Sequence, residues 1–217
     1  MKIKSERMPV SAAARGWTRS IALSLAAVSA TAALSGCAAA LIGGAMVGGT
    51  LMVIDRRTSG TQVEDQGIEL KALVRVREMA LPANITVTSY NRVALITGQV
   101  PREADKQAVE QSIARIENVR GVVNELSVGE SASVSSRTND SILSGKVKAA
   151  FVDAKDLQAP AAKVVTERGV VYLMGRVTER EANRFAEVAR SQNGVQKVVK
   201  VFDLITEAEL AALVSRN

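Results

Sequence analysis

Histidine is absent from the 217 residues, and cysteine occurs once, at Cys37. The first absence removes the commonest general base, the imidazole metal ligand and the usual physiological pH switch. The second excludes an intramolecular disulfide and a cysteine-rich zinc site. Aromatic residues make up only 3%, and Trp17 is the one tryptophan, so any core must be built from Val, Ile, Leu and Ala. Carboxylates are scattered, and Glu179 and Glu181 read as helix-start residues that complement the dipole. No nucleophile–base pairing or metal-ligand spacing is visible, so the sequence predicts no catalytic residue, metal or cofactor.

A strongly basic surface is missing too. The net charge of +6 is concentrated in the first 36 residues, where Lys2, Lys4, Arg7, Arg15 and Arg19 face only Glu6. The remainder is close to neutral. That argues against nucleic acid as a partner, because non-specific duplex binding needs many clustered cations.

What is present begins with that basic start, followed by the uncharged segment "IALSLAAVSATAAL" (21–34). Its length suits the apolar part of an export signal and falls short of the ~20 residues that span a bilayer. "Leu34-Ser35-Gly36-Cys37" resembles the lipobox of bacterial lipoproteins. The resemblance implies that residues 1–36 are a signal peptide, removed together with Trp17, and that Cys37 is acylated. Two or three acyl chains, at roughly 0.8 kcal/mol per buried CH₂, make such anchoring effectively permanent. By resemblance to the enterobacterial sorting pattern, in which an aspartate after the cysteine favours retention in the inner membrane, Ala38 implies the periplasmic face of the outer membrane. The run "AAALIGGAMVGGTLMVI" (38–54) reads either as a spacer or as a membrane-associated helix packing through Gly44 and Gly48. "DRRTSGTQVED" (55–65) reads as polar linker, so 37–64 is expected to be an acylated N-terminus and flexible tether.

Beyond it lies an internal repeat. "VALITGQVPREA" (93–104) matches "VVYLMGRVTERE" (170–181), aligning Gly98 with Gly175. The two copies span 65–128 and 139–205, with the serine-rich linker 129–138 between them and a short amphipathic tail, 206–217, carrying Leu210 and Leu213. Each copy predicts helix–strand–strand–helix–strand, a small α+β unit with two helices on one face of three strands. Asn91 and Gly169 are the expected positive-φ turn residues. Gly98 and Gly175 suit a close helix–strand approach or a bulge. The second helices predict buried stripes at Ala104, Ala108, Ile113 and Ile116, and at Ala182, Phe185, Ala186 and Ala189.

The strand pattern V-x-L-x-G-x-V, a helix and a closing G-V-x-x-V resemble the BON domain, and two such units behind a lipobox resemble dual-BON outer-membrane lipoproteins. In the first copy Asn118 replaces the glycine found at Gly194.

The first helices supply the candidate site. In 140–152, Leu143, Val147 and Ala150 form one stripe to cover the sheet. Ile142, Gly145, Ala149 and Val152 form a second, edged by Lys146 and Lys148. With Ile68, Lys71, Arg75 and Glu78 taken as the matching positions, the first copy shows an ordinary solvated face. The first copy carries 8 basic and 8 acidic residues, the second 11 and 8. Exposed apolar groups and cations together suit an anionic membrane surface. The resemblance implies the same: an envelope-integrity factor, associated with division sites, whose second BON domain binds anionic phospholipids such as phosphatidylglycerol or cardiolipin through its first helix. Ile142 then falls at an aromatic lipid-contact position of the family. The alternative is an adaptor for proteins of outer-membrane assembly or the cell wall.

Overall fold

A computed structural model describes residues 55–215, all of them within one compact unit. The expected signal segment, Cys37 and the run 38–54 lie outside the described residues. The first repeat comprises helix α1 (Ser59–Glu78), strands β1 (Asn84–Tyr90) and β2 (Val93–Val100), helix α2 (Glu103–Ala114) and strand β3 (Gly121–Val128). The second comprises α3 (Val134–Asp153), a 3-10 turn (Ala159–Ala161), β4 (Ala162–Glu167), β5 (Val170–Thr178), α4 (Glu179–Arg190) and β6 (Lys197–Ile205); α5 (Glu207–Val214) follows. In each, a hairpin is joined by a parallel third strand, in the orders β1-β2-β3 and β4-β5-β6. The α+β class and the order of elements are those expected.

Side-chain caps set where the helices begin. The Thr58 and Ser133 hydroxyls accept from Thr61 N and Ser136 N, satisfying donors that the first turn leaves free. These caps shorten both expected linkers. The polar stretch 55–64 carries the first two turns of α1, and 129–138 carries the first turn of α3. The link between repeats is also pinned, because Gln99 Oε1 accepts from Ala132 N at 2.7 Å. Thr178 with Glu181, and Thr206 with Glu209, form capping boxes that start α4 and α5.

One buried aspartate in each first helix holds the neighbouring hairpin. Asp65 accepts from Ser89 Oγ and from the backbone N–H groups of Asn91 and Arg92 at 2.7–2.8 Å. Asp140 accepts from Arg168 N and Gly169 N at 2.8 Å. Both central turn residues have positive φ: 49° and 65° at Asn91 and Arg92, 49° and 75° at Arg168 and Gly169. Non-glycine residues tolerate that conformation because the carboxylate gathers the two N–H groups it points inward. Asp140→Ala is expected to cost about 3 kcal/mol in urea unfolding, since the buried turn N–H groups lose a charged acceptor. The two glycines answer to the hairpin as well. A Cβ at Gly98 would strike Asn84 O and one at Gly175 would strike Ala161 O, so the close approach is to the neighbouring strand segment, not to a helix.

The core of each repeat lies between its helices and one sheet face. Val109, Ile113 and Ile116 close the first; Phe151, Phe185, Ala186 and Ala189 close the second. In α2 the expected stripe is rotated. Ala104 and Ala108 are exposed, and Asp105 and Val109 take the inward places. The opposite faces of the two sheets pack against each other through Tyr90, Leu95, Tyr172 and Met174, with Val123, Val165, Val170, Val199 and Val201 around them. The order of layers is therefore helices, sheet, sheet, helices.

Two arginines ahead of α1 fasten the chain to both repeats. Arg57 donates to Asp65 at 2.7 Å and lies over the Tyr90 ring, 4.1 Å from its centroid. Arg56 donates twice to Glu181, at 2.7 and 2.8 Å, and once to Arg176 O. Burial pushes both carboxyls up, but hydrogen bonds outweigh it: from Ser89, Arg92 and Arg57 at Asp65, and from Arg56 and Thr178 at Glu181. Both therefore sit below the ordinary carboxylate range. A group with a lowered folded pKa binds its proton first in the unfolded chain. The stability it contributes is full above an unfolded value near 4 and disappears as pH falls further. Thermal midpoints should be flat from about pH 7 to pH 5 and fall steeply below about pH 4.

Candidate functional site

Helix α3 turns Leu143, Val147 and Phe151 inward, as the cap at Ser133 and the buried Asp140 dictate. The residues expected on its outer face are outside. Ile142 is 53% exposed and Val152 72%, and Gly145, Lys146, Lys148 and Ala149 are exposed between them. Because the sheets join the two repeats, this face is not covered by the first repeat.

The structure adds a feature the sequence did not disclose. Ile142 and Lys146 border a recess of about 460 Å³ that is completed by Ser136, Asn139, Arg168 and Asn193. Gly145, Lys148, Ala149 and Val152 continue the face along the helix without lining it. Arg168 reaches the site from the β4–β5 turn, where its sequence context, "TERGV", reads only as a turn.

The first repeat corrects one expectation. Asp65 and Asp140 occupy equivalent places, so the counterparts of Ile142, Gly145, Ala149 and Val152 are Gly67, Leu70, Val74 and Arg77. Ile68 is buried in the core. A slip of one residue rotates a helix by about 100°, and the face read as solvated is in fact apolar. Val63, Leu70 and Val74 are 68%, 66% and 53% exposed. Apolar exposure therefore does not distinguish the second repeat from the first.

Charge pairing does. In the first repeat Lys71 is bound to Glu117 at 3.0 Å, and Arg92 to Glu64 at 2.6 Å. Lys146 is the counterpart of Lys71, while Arg168 stands at the place of Asn91, one residue before Gly169, which takes the place of Arg92; the two acids are replaced by Asn193 and Asn139. Neither Lys146 nor Arg168 has a carboxylate partner among the described residues; Arg168 Nη2 donates only to Glu130 O. Two cations thus face one recess beside an exposed isoleucine.

The chain matches the BON domain family twice, over residues 69–130 and 139–206. Among curated relatives, the outer membrane lipoprotein DolP of Haemophilus influenzae is 38% identical over 177 residues, covering 80% of this chain and 91% of that protein. A 21 kDa hemolysin of Actinobacillus pleuropneumoniae is 32% identical over 155 residues, covering 70% and 80%. A solved structure of CdsD, a structural protein of the type III secretion system of Chlamydia trachomatis, overlaps with a TM-score of 0.27 at 13% identity, over 68% of this chain and 97% of that one. That overlap is too slight to bear on function. The chain belongs to the BON-domain family, as a two-domain, DolP-like lipoprotein anchored by lipid at the outer membrane.

Proposed function

We propose that Cys37 carries the acyl chains and that the outer face of α3 binds anionic phospholipid, phosphatidylglycerol or cardiolipin, as a non-enzymatic support of envelope integrity that acts at division sites. The observation that carries the lipid reading is the pair Lys146 and Arg168 on one recess, neither with a carboxylate partner among the described residues, whereas the first domain's Lys71 and Arg92 are each paired with an acid. A phosphate can sit between the two cations, while Ile142 and Val152 enter the interface beside it. The tether raises the local lipid concentration, so a weak intrinsic site is enough.

Two variants of the 55–217 chain test it with vesicles. Ile142→Glu should abolish binding to phosphatidylglycerol vesicles. Asn139→Glu with Asn193→Glu restores the acids of the first repeat and removes two free cations, each worth about 1 kcal/mol near an anionic surface. Binding should weaken roughly 30-fold, with no change in unfolding midpoint. Equal binding of the parent chain to phosphatidylcholine vesicles, or full binding by the double variant, refutes the reading.

A further inference from the structure

In the first domain α1 and the edge strand β1 stand apart over a groove of about 490 Å³, lined by Leu70, Leu73, Val76, Ile85 and Val87. In the second domain the same place is filled. Val147 and Phe151 stand where the first domain has Ala72 and Val76, and Val164 and Ala162 are buried beneath them.

The floor of this groove is a strand edge whose outward N–H and C=O groups at Ile85 and Val87 meet no partner among the described residues. Ser89 N donates to Glu69 Oε1 at 2.8 Å, and Ser89 O accepts from Lys163 Nζ at 3.2 Å, so both groups of Ser89 turn away from β2. Outward-facing groups recur at every second residue of an antiparallel strand. Val87 and Ile85 therefore present their N–H and C=O groups to the open side. Glu69 and Lys163 seal the edge at Ser89 and leave it open at the two residues that line the groove.

We propose that this edge of the first domain takes up a short extended segment of a partner protein, which adds as a fourth strand beside β1. The partner's backbone would make about four hydrogen bonds with Ile85 and Val87. Its alternate side chains would be apolar and would enter the groove against Leu70, Leu73 and Val76. At the open end, Arg75 and Arg77 form no ion pair among the described residues, so an acidic residue at that end of the segment complements them. The layer order places this groove on the side of the molecule opposite the outer face of α3. A membrane held against α3 leaves the groove free, so the inference goes beyond the lipid reading.

The test uses the full-length acylated chain in nanodiscs of neutral phosphatidylcholine. A random nonapeptide library is selected against it, and an enriched peptide is then used as the probe in hydrogen exchange. The expected result is apolar residues at every second position, slowed exchange at the Ile85 and Val87 amides, and at least a tenfold loss of affinity in Leu70→Glu but not in Ile142→Glu. No enrichment, helical spacing of the apolar residues, or exchange unchanged at those two amides would overturn the proposal. So would protection of those amides without peptide in a dimeric protein, which would make a second copy the occupant. If Leu70→Glu lowered binding to phosphatidylglycerol vesicles as much as Ile142→Glu, the face would be a lipid contact and the proposal would fall, with the α3 site unaffected.

Discussion

Arg56→Ala is expected to lower the unfolding free energy by about 3–5 kcal/mol, the cost of removing one partner from a buried ion pair. The side chains of Arg56 and Glu181 are 2% and 6% exposed, and two parallel N–H···O bonds join them. Without the guanidinium, Glu181 keeps the Thr178 N–H but loses its counter-charge, and Arg176 O loses a donor. Burial is then opposed only by the Thr178 N–H and the Arg180 charge, so the carboxyl's pKa rises and the acid limb of the stability profile moves to higher pH. Arg57→Ala should cost less, because Asp65 retains Ser89, Asn91 and Arg92 as donors. Arg56→Ala combined with Glu181→Ala should cost clearly less than the sum of the single changes, since the second removes the stranded charge left by the first. Denaturant titration of the parent and the four variants reads all three expectations; strict additivity would mean that the strap contributes no pairwise coupling.

That strap shows where sequence reading stopped. "DRRTSG" has the composition of a linker, and nothing local reveals that two consecutive arginines serve different domains, one at Asp65 and the other at Glu181 more than a hundred residues away. The repeats were legible because strand alternation and the matched glycines are local signals, and so were the turns at Asn91 and Gly169. Helix faces were legible only where large side chains fixed the phase. In α4, Phe185 sets it, and the buried stripe lies as expected. In α2, Ala104 and Ala108 could face either way, and Val109 decided the rotation. Comparison of the first helices failed by one residue because Ile142 and Ile68 look alike, whereas Asp65 and Asp140, the residues that share a role, looked like ordinary surface acids. At the candidate site, Ile142 and Lys146 could be placed from periodicity. The meeting of Lys146 and Arg168 on a recess without a paired acid could not, since it appears only when the β4–β5 turn and Asn139 and Asn193 are brought beside α3 in space.

Leu95→Asp is expected to have the other large effect, opening the stack of sheets at a cost of roughly 4 kcal/mol. Leu95 is fully buried against the second sheet's Tyr172 and Met174, and a carboxylate there has no partner. The ion pairs at the rim, Lys163 with Glu69 and Arg120 with Asp203, are partly exposed and cannot hold the sheets together against a buried charge. The side chain points away from its own domain's helices, however, so once the sheets part it meets water and each helix–sheet core remains closed. Small-angle scattering should show a larger radius of gyration, while amide spectra of residues 139–205 keep their native dispersion. Binding to phosphatidylglycerol vesicles should stay within about twofold of the parent, because Ile142, Lys146 and Arg168 are all held by the second domain's own helix and turn. Loss of vesicle binding together with the stack would instead mean that the first domain shapes the α3 face through the sheets, and that the two uncaged cations alone do not make the site.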